Sequence, residues 1–128
     1  MQSNFYFNCA WFRLQTNKLI VVGQGIDTNL FSRKELKGNT LFSILSVGRI
    51  APVKDYETLI LGSESLLQKG IQHRVCIIGG VGLLKYEKYF DSLKSMVKEK
   101  GFSHIEFLGP KTQVEIISYL QNATVFVN

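Results

Sequence analysis

The stretch LFSILSVGRIAPVKDYETLI, Leu41–Ile60, decides the fold of this 128-residue chain. Leu41–Val47 is apolar enough to be a strand covered on both faces, as parallel strands are. Gly48 breaks the strand, Arg49 and Lys54 follow in a turn around Pro52, and Tyr56, Leu59, Ile60, Ser63 and Leu67 then recur at helical spacing. A helix N-terminus carries unpaired N–H groups and a partial positive charge, so the junction reads as a trap for a diphosphate. Arg grips two phosphate oxygens as a fork, whereas Lys acts as a mobile point charge. The plainer reading is a pair of solvated cations around a turn. Their place directly after a buried strand points to the anion site.

Outward from this stretch the chain alternates. Lys18–Val22 reads as a short strand before a turn at Gly23–Gly25. Lys69-Gly70 closes the first helix, and Arg74–Ile78 is a strand ending in Gly79-Gly80-Val81-Gly82. The next helix carries Tyr86, Tyr89, Phe90, Leu93, Met96 and Val97 on one face, a core stripe, while Lys85, Lys88, Lys94 and Lys98 fall on a solvated face. Ile105–Leu108 is a strand broken by Gly109-Pro110. Thr112 and Glu115 make a capping-box pattern opening a helix to Gln121, and Thr124–Val127 is a final strand. Alternation of this kind predicts a doubly wound, Rossmann-like α/β domain over residues 18–128, with residues 1–17 unassigned. Numbering Leu41–Val47 as strand 1, the expected order is 3-2-1-4, with Val125–Val127 near an uncovered edge.

At 45% hydrophobic and 20% charged the composition is that of one ordinary globular domain. The net charge of +5 suits an anionic ligand, but the lysines are dispersed, which argues against a nucleic-acid binder. Cys9 and Cys76 are far apart and Cys76 lies in a strand, so a buried thiol in a reducing, cytoplasmic setting is expected. His73 and His104 each precede a strand without acidic or cysteine ligands at metal spacing, and no metal site is predicted. No apolar run reaches membrane-spanning length, and residues 1–12 lack the features of a signal peptide.

No GxxxxGK[ST] is present, which excludes a P-loop NTPase. The run Gly79–Gly82 follows a strand but lacks GxGxxG spacing, which disfavours a dinucleotide oxidoreductase. Those glycines serve either a tight turn of positive φ or the approach of a ligand to backbone. Neither Gly-x-Ser-x-Gly, an Asp–His–Ser set nor a Cys–His pair supports hydrolase chemistry.

Four strings in order carry a family resemblance: GIDTNLF at Gly25–Phe31, ILSVGRIAPVKDYETLI at Ile44–Ile60, VCIIGGVG at Val75–Gly82 and IEFLGPKTQVEIISYLQNATVFVN at Ile105–Asn128. Together they resemble the family 4 retaining glycosyltransferases, of GT-B architecture, over part of the C-terminal, nucleotide-sugar-binding domain. The resemblance implies that Gly48, Arg49, Lys54, Gly79 and Gly80 hold the diphosphate of a nucleotide-sugar donor. It also implies that Arg49 and Lys54 stabilise that diphosphate as it leaves. Pro110 and Thr112 would flank the base, although the capping pattern favours a cap for Thr112. Asp27 and Phe31 match positions that look structural. No cofactor is implied beyond the donor substrate.

Several features depart from the family pattern. Gln24 stands where Asn is usual, and Gly62 interrupts the first helix at about 1 kcal/mol relative to Ala. The family's Glu-x7-Glu motif follows the strand represented here by Thr124–Val127, and the sequence reaches Asn128 before it. The acceptor-binding N-terminal domain is not represented. These departures imply a donor-binding fragment, inactive alone, whose partners are the nucleotide-sugar and the missing parts of the enzyme. Peripheral contact of the intact enzyme with an anionic membrane through the lysine-rich surface stays open, solvation being the plainer role. The alternative is a non-catalytic nucleotide-binding or interaction module on the same scaffold.

Overall fold

Short apolar runs rich in β-branched residues make the strands β1 (Phe42–Val47), β2 (His73–Ile78), β3 (Ile105–Gly109) and the brief β4 (Val125–Phe126). In β1 four successive residues, Ser43–Ser46, are buried, so both faces of that strand are covered. The computed structural model describes Gly25 and residues 27–32 and 41–128. The expected strand Lys18–Val22 and the unassigned residues 1–17 lie outside the described residues. All three strand pairings are parallel and the order is β3-β2-β1-β4. That is the predicted doubly wound sheet, with the expected neighbours on each side of β1.

Three helices connect the strands: α1 (Tyr56–Gln68), α2 (Glu87–Glu99) and α3 (Gln113–Asn122). The first two cover one face, where Ile44, Ile60, Val75, Ile77 and Leu93 form the main core. Each such side chain contributes roughly 1.5–3 kcal/mol on burial. The stripe expected on the second helix is this contact: Leu93 is buried, and Tyr89, Phe90, Met96 and Val97 pack against the cluster. Helix α3 crosses to the other face, setting Ile116, Tyr119 and Leu120 on Leu45, Cys76 and Ile78. The four lysines of the second helical segment are exposed, as expected.

The apolar stripe of α1 contains a polar residue, Ser63, and the structure shows why. Ser63 is buried, and its Oγ lies 2.7 Å from Nε2 of His73 and 2.7 Å from Nε2 of His104. Nδ1 of His73 donates to the Ile71 carbonyl at 2.8 Å, since a carbonyl only accepts. The His73 Nε2 is then the acceptor for the Ser63 hydroxyl, and His104 Nε2–H donates to Ser63 Oγ. Burial, with the neighbouring His73, pushes the His104 pKa down.

Edge strand β4 is the least covered strand. Val125, Phe126 and Val127 are exposed, in line with the edge expected from the sequence.

Candidate functional site

Parallel strands deliver all their carboxyl ends to one rim, and the loops after β1, β2 and β3 leave that rim together. The loops continue the sheet's pairing beyond the strands. Gly48 N–H donates to Ile78 O at 2.9 Å, Ile50 N–H to Gly80 O at 3.0 Å, and Gly79 N–H to Gly109 O at 3.0 Å. Arg49 is therefore held between two backbone hydrogen bonds while its side chain is exposed.

The glycines make this contact between loops. Gly79 has φ 151°, and a Cβ there would lie 1.8 Å from the Gly48 carbonyl oxygen. Of the two roles open to this glycine, the structure shows the turn of positive φ and a close approach to neighbouring backbone. Gly80 faces the ring of Pro110, and a Cβ at Gly82 would lie 2.9 Å from Cδ of Arg49. The Arg49 side chain thus runs across the glycine turn, and the sequence-predicted Gly48, Arg49, Gly79, Gly80 and Pro110 converge on the rim.

Lys54 closes a single 3-10 turn, Pro52–Lys54, and its side chain folds back along Gly48, where a Cβ would be 3.4 Å from the lysine Cε. Its Nζ donates to Oδ1 of Asn128 at 2.6 Å, spanning from the loop after β1 to the residue beyond β4. The gap between β1 and β4 is the topological switch point, because α1 and α3 lie on opposite faces. Sequence reasoning missed Asn128, and only the strand order brings it to Lys54. Neither Arg49 nor Lys54 forms an ion pair among the described residues.

One expectation is narrowed. Two of the amides in the first turn of α1, those of Tyr56 and Thr58, already have partners within the protein. Asp55, at φ 47° and ψ 52°, caps the helix, accepting from Thr58 N–H at 3.4 Å, and the Tyr56 N–H donates to the Tyr89 hydroxyl at 3.3 Å. A carboxylate already sits on the positive end of the helix. The positive charge at the rim therefore rests mainly on the two side chains.

Thr112 is a cap, as the sequence favoured. Its Oγ1 accepts from Glu115 N–H at 3.3 Å and Glu115 Oε2 accepts from Thr112 N–H at 2.8 Å. Those hydrogen bonds hold the Glu115 pKa below the usual carboxylate range. Asp27 and Phe31 are structural as well: the Asp27 carboxylate accepts from Asn29 and Leu30 N–H, and Phe31 lines a groove with Leu120 and Phe126. Below the rim an apolar cavity of about 560 Å³ runs between α1, β1 and β4, from Lys54 and Asn128 down to Phe42 and Leu66. Among the described residues, no group of three or more His, Cys, Asp or Glu could hold a metal ion, and no helix is long and apolar enough to cross a membrane.

Comparison with known proteins agrees with this geometry. A family model described as "Glycosyl transferases group 1" matches residues 27–128. Among solved structures, the C-terminal domain of a glycosyl transferase group 1 family protein from Francisella tularensis superposes with a TM-score of 0.67 at 23% identity. The match covers 80% of this chain and 57% of that one, and at this identity it shows the fold. No curated protein matches the sequence.

Proposed function

Since the chain belongs to the glycosyl transferases group 1, we propose that it is the donor-binding part of a retaining, family 4-like glycosyltransferase, with Arg49 and Lys54 holding the diphosphate of a nucleotide-sugar. The observation that carries this reading is the convergence of both cations on the carboxyl-end rim beside the switch point. Loss of a nucleoside diphosphate from the sugar develops negative charge on the leaving oxygens. Fixed cations stabilise that charge more than the ground state, which is what accelerates transfer. In this reading the side chains supply the charge and no metal is called on.

The carboxylates nearest the cations in sequence support an inactive isolated chain. Asp55 is engaged as the cap of α1 and Glu57 accepts from the Tyr89 hydroxyl. Acceptor recognition and the remaining donor contacts belong to parts of the enzyme outside these 128 residues. In this reading the intact enzyme works in the cytoplasm and builds glycans, and the exposed lysines are solvated.

Calorimetric titration of the chain with UDP, GDP, ADP and NAD tests the proposal. At least one nucleoside diphosphate is expected to bind, and Arg49→Ala is expected to weaken it about 10–100-fold, the value of charged hydrogen bonds. Binding of NAD with no diphosphate binding would overturn the reading, as would an Arg49→Ala variant of unchanged affinity.

A further inference from the structure

Tyr56 is the first residue of α1, directly after the Lys54-Asp55 turn, yet its side chain is only 1% exposed and lies in the main core. A phenol buried this deeply needs a partner for its hydroxyl. Tyr56 Oη donates to the carbonyl of Gly48 at 3.3 Å. Burial pushes the Tyr56 pKa up, partly offset by a hydrogen bond with Ser46, so the hydroxyl stays protonated and keeps donating.

The group it grips is the pivot of the rim. Gly48 is the last residue before Arg49, and its carbonyl is the atom that Gly79 approaches so closely that a Cβ would be 1.8 Å away. The same glycine is flanked by Cε of Lys54, 3.4 Å from where its own Cβ would be, with Tyr56 Oη at an equal distance. One peptide unit is therefore held by the tyrosine, packed against the loop after β2, and bordered by both cationic residues. We propose that Tyr56 is a positioning residue for the diphosphate site, its hydroxyl fixing the Gly48 carbonyl and so the direction in which Arg49 leaves the loop and the backbone along which the Lys54 side chain lies. The inference rests on the nucleotide-sugar reading given above and adds a buried residue to the site.

A nearby tyrosine provides an internal control. Tyr89 of α2 accepts from Tyr56 N–H and donates to the carboxylate of Glu57, so it braces the first turn of α1 without touching Gly48. Both Tyr→Phe changes remove one hydroxyl from the same neighbourhood and keep the ring. The test measures nucleoside diphosphate affinity of the wild-type chain, Tyr56→Phe and Tyr89→Phe by calorimetry, with thermal melts alongside. Tyr56→Phe is expected to bind about three- to tenfold more weakly, the value of one hydrogen bond, while Tyr89→Phe keeps wild-type affinity. Unchanged affinity in Tyr56→Phe, or an equal loss in both variants, overturns the positioning role and leaves the diphosphate reading standing. A wild-type chain that binds no nucleoside diphosphate overturns both. If Tyr56→Phe folds poorly, an NMR titration of the wild-type chain with inorganic pyrophosphate decides instead. Shifts at Gly48 and the Tyr56 ring with the Tyr89 ring unmoved are expected, and a silent Tyr56 ring overturns the proposal.

Discussion

Gly79→Ala is the sharpest probe of how the rim is built. The added methyl would start 1.8 Å from the Gly48 carbonyl oxygen and 2.8 Å from its carbon. Carbon–oxygen contacts settle near roughly 3.3 Å, so the loops after β1 and β2 must part by about 1.5 Å. Neither loop can yield freely, because Gly48 N–H to Ile78 O and Ile50 N–H to Gly80 O bracket the contact at 2.9 and 3.0 Å. A separation of that size breaks both, at about 1 kcal/mol each, and the φ of 151° adds roughly 1–3 kcal/mol of strain for a residue with a side chain. The expected loss is about 3–5 kcal/mol, in the range reserved for specific structural damage.

Urea unfolding measures this directly, provided the slope m is the same for both proteins. Gly70→Ala is the matched control. Gly70 also has positive φ, 76°, but nothing lies within 4 Å of the place its added methyl would take, so only about 1–2 kcal/mol of left-handed strain is expected. A Gly79→Ala loss no larger than that of Gly70→Ala would refute the close approach of the two loops.

The remaining predictions use other parts of the fold. Gly62 lies inside α1 with open space around it, so Gly62→Ala should stabilise by about 0.5–1 kcal/mol, read as a melting temperature about 2–5 °C higher. Thr112→Ala should cost about 1 kcal/mol in urea through loss of the α3 cap while leaving nucleoside diphosphate affinity unchanged; a matching loss of affinity would give Thr112 a contact with the base. Because the folded pKa of His104 lies below its ordinary value of 6.5, the unfolded chain binds more protons in that window. Stability is therefore full above pH 6.5 and falls as the pH drops toward the lower folded pKa. Urea midpoints between about pH 7.5 and 5 should show this fall, and His104→Gln should flatten it.

Much of the fold was legible because strand burial and helix periodicity leave separate marks. The apolar run of β1, the stripe on α2 and the Thr112–Glu115 box each state their environment locally, and the strand order follows from how right-handed crossovers stack such units. Ser63 was legible only as a member of an apolar stripe. Its hydrogen bonds reach His73 and His104, which lie 10 and 41 residues along the chain, and helical spacing carries no information about such partners. The Lys54–Asn128 contact has the same character, being set by the placement of β4 beside β1.

At the rim, residue type revealed the cations but not what surrounds them. Arg49 and Lys54 stand out because a charged pair after a buried strand is easy to see in one dimension. The Asp55 cap does not, since it depends on a non-glycine residue adopting φ 47°, a conformation that Asp tolerates better than most. Its presence changes the electrostatics of the loop. The partial positive charge of α1 is already met by a carboxylate, and Arg49, Lys54 and Asp55 together leave one net positive charge across the turn. A diphosphate bound as proposed would depend mainly on the reach and aim of two side chains. That dependence is the physical reason for the leverage proposed for the buried hydroxyl of Tyr56: it holds the peptide from which Arg49 leaves and along which the Lys54 side chain lies.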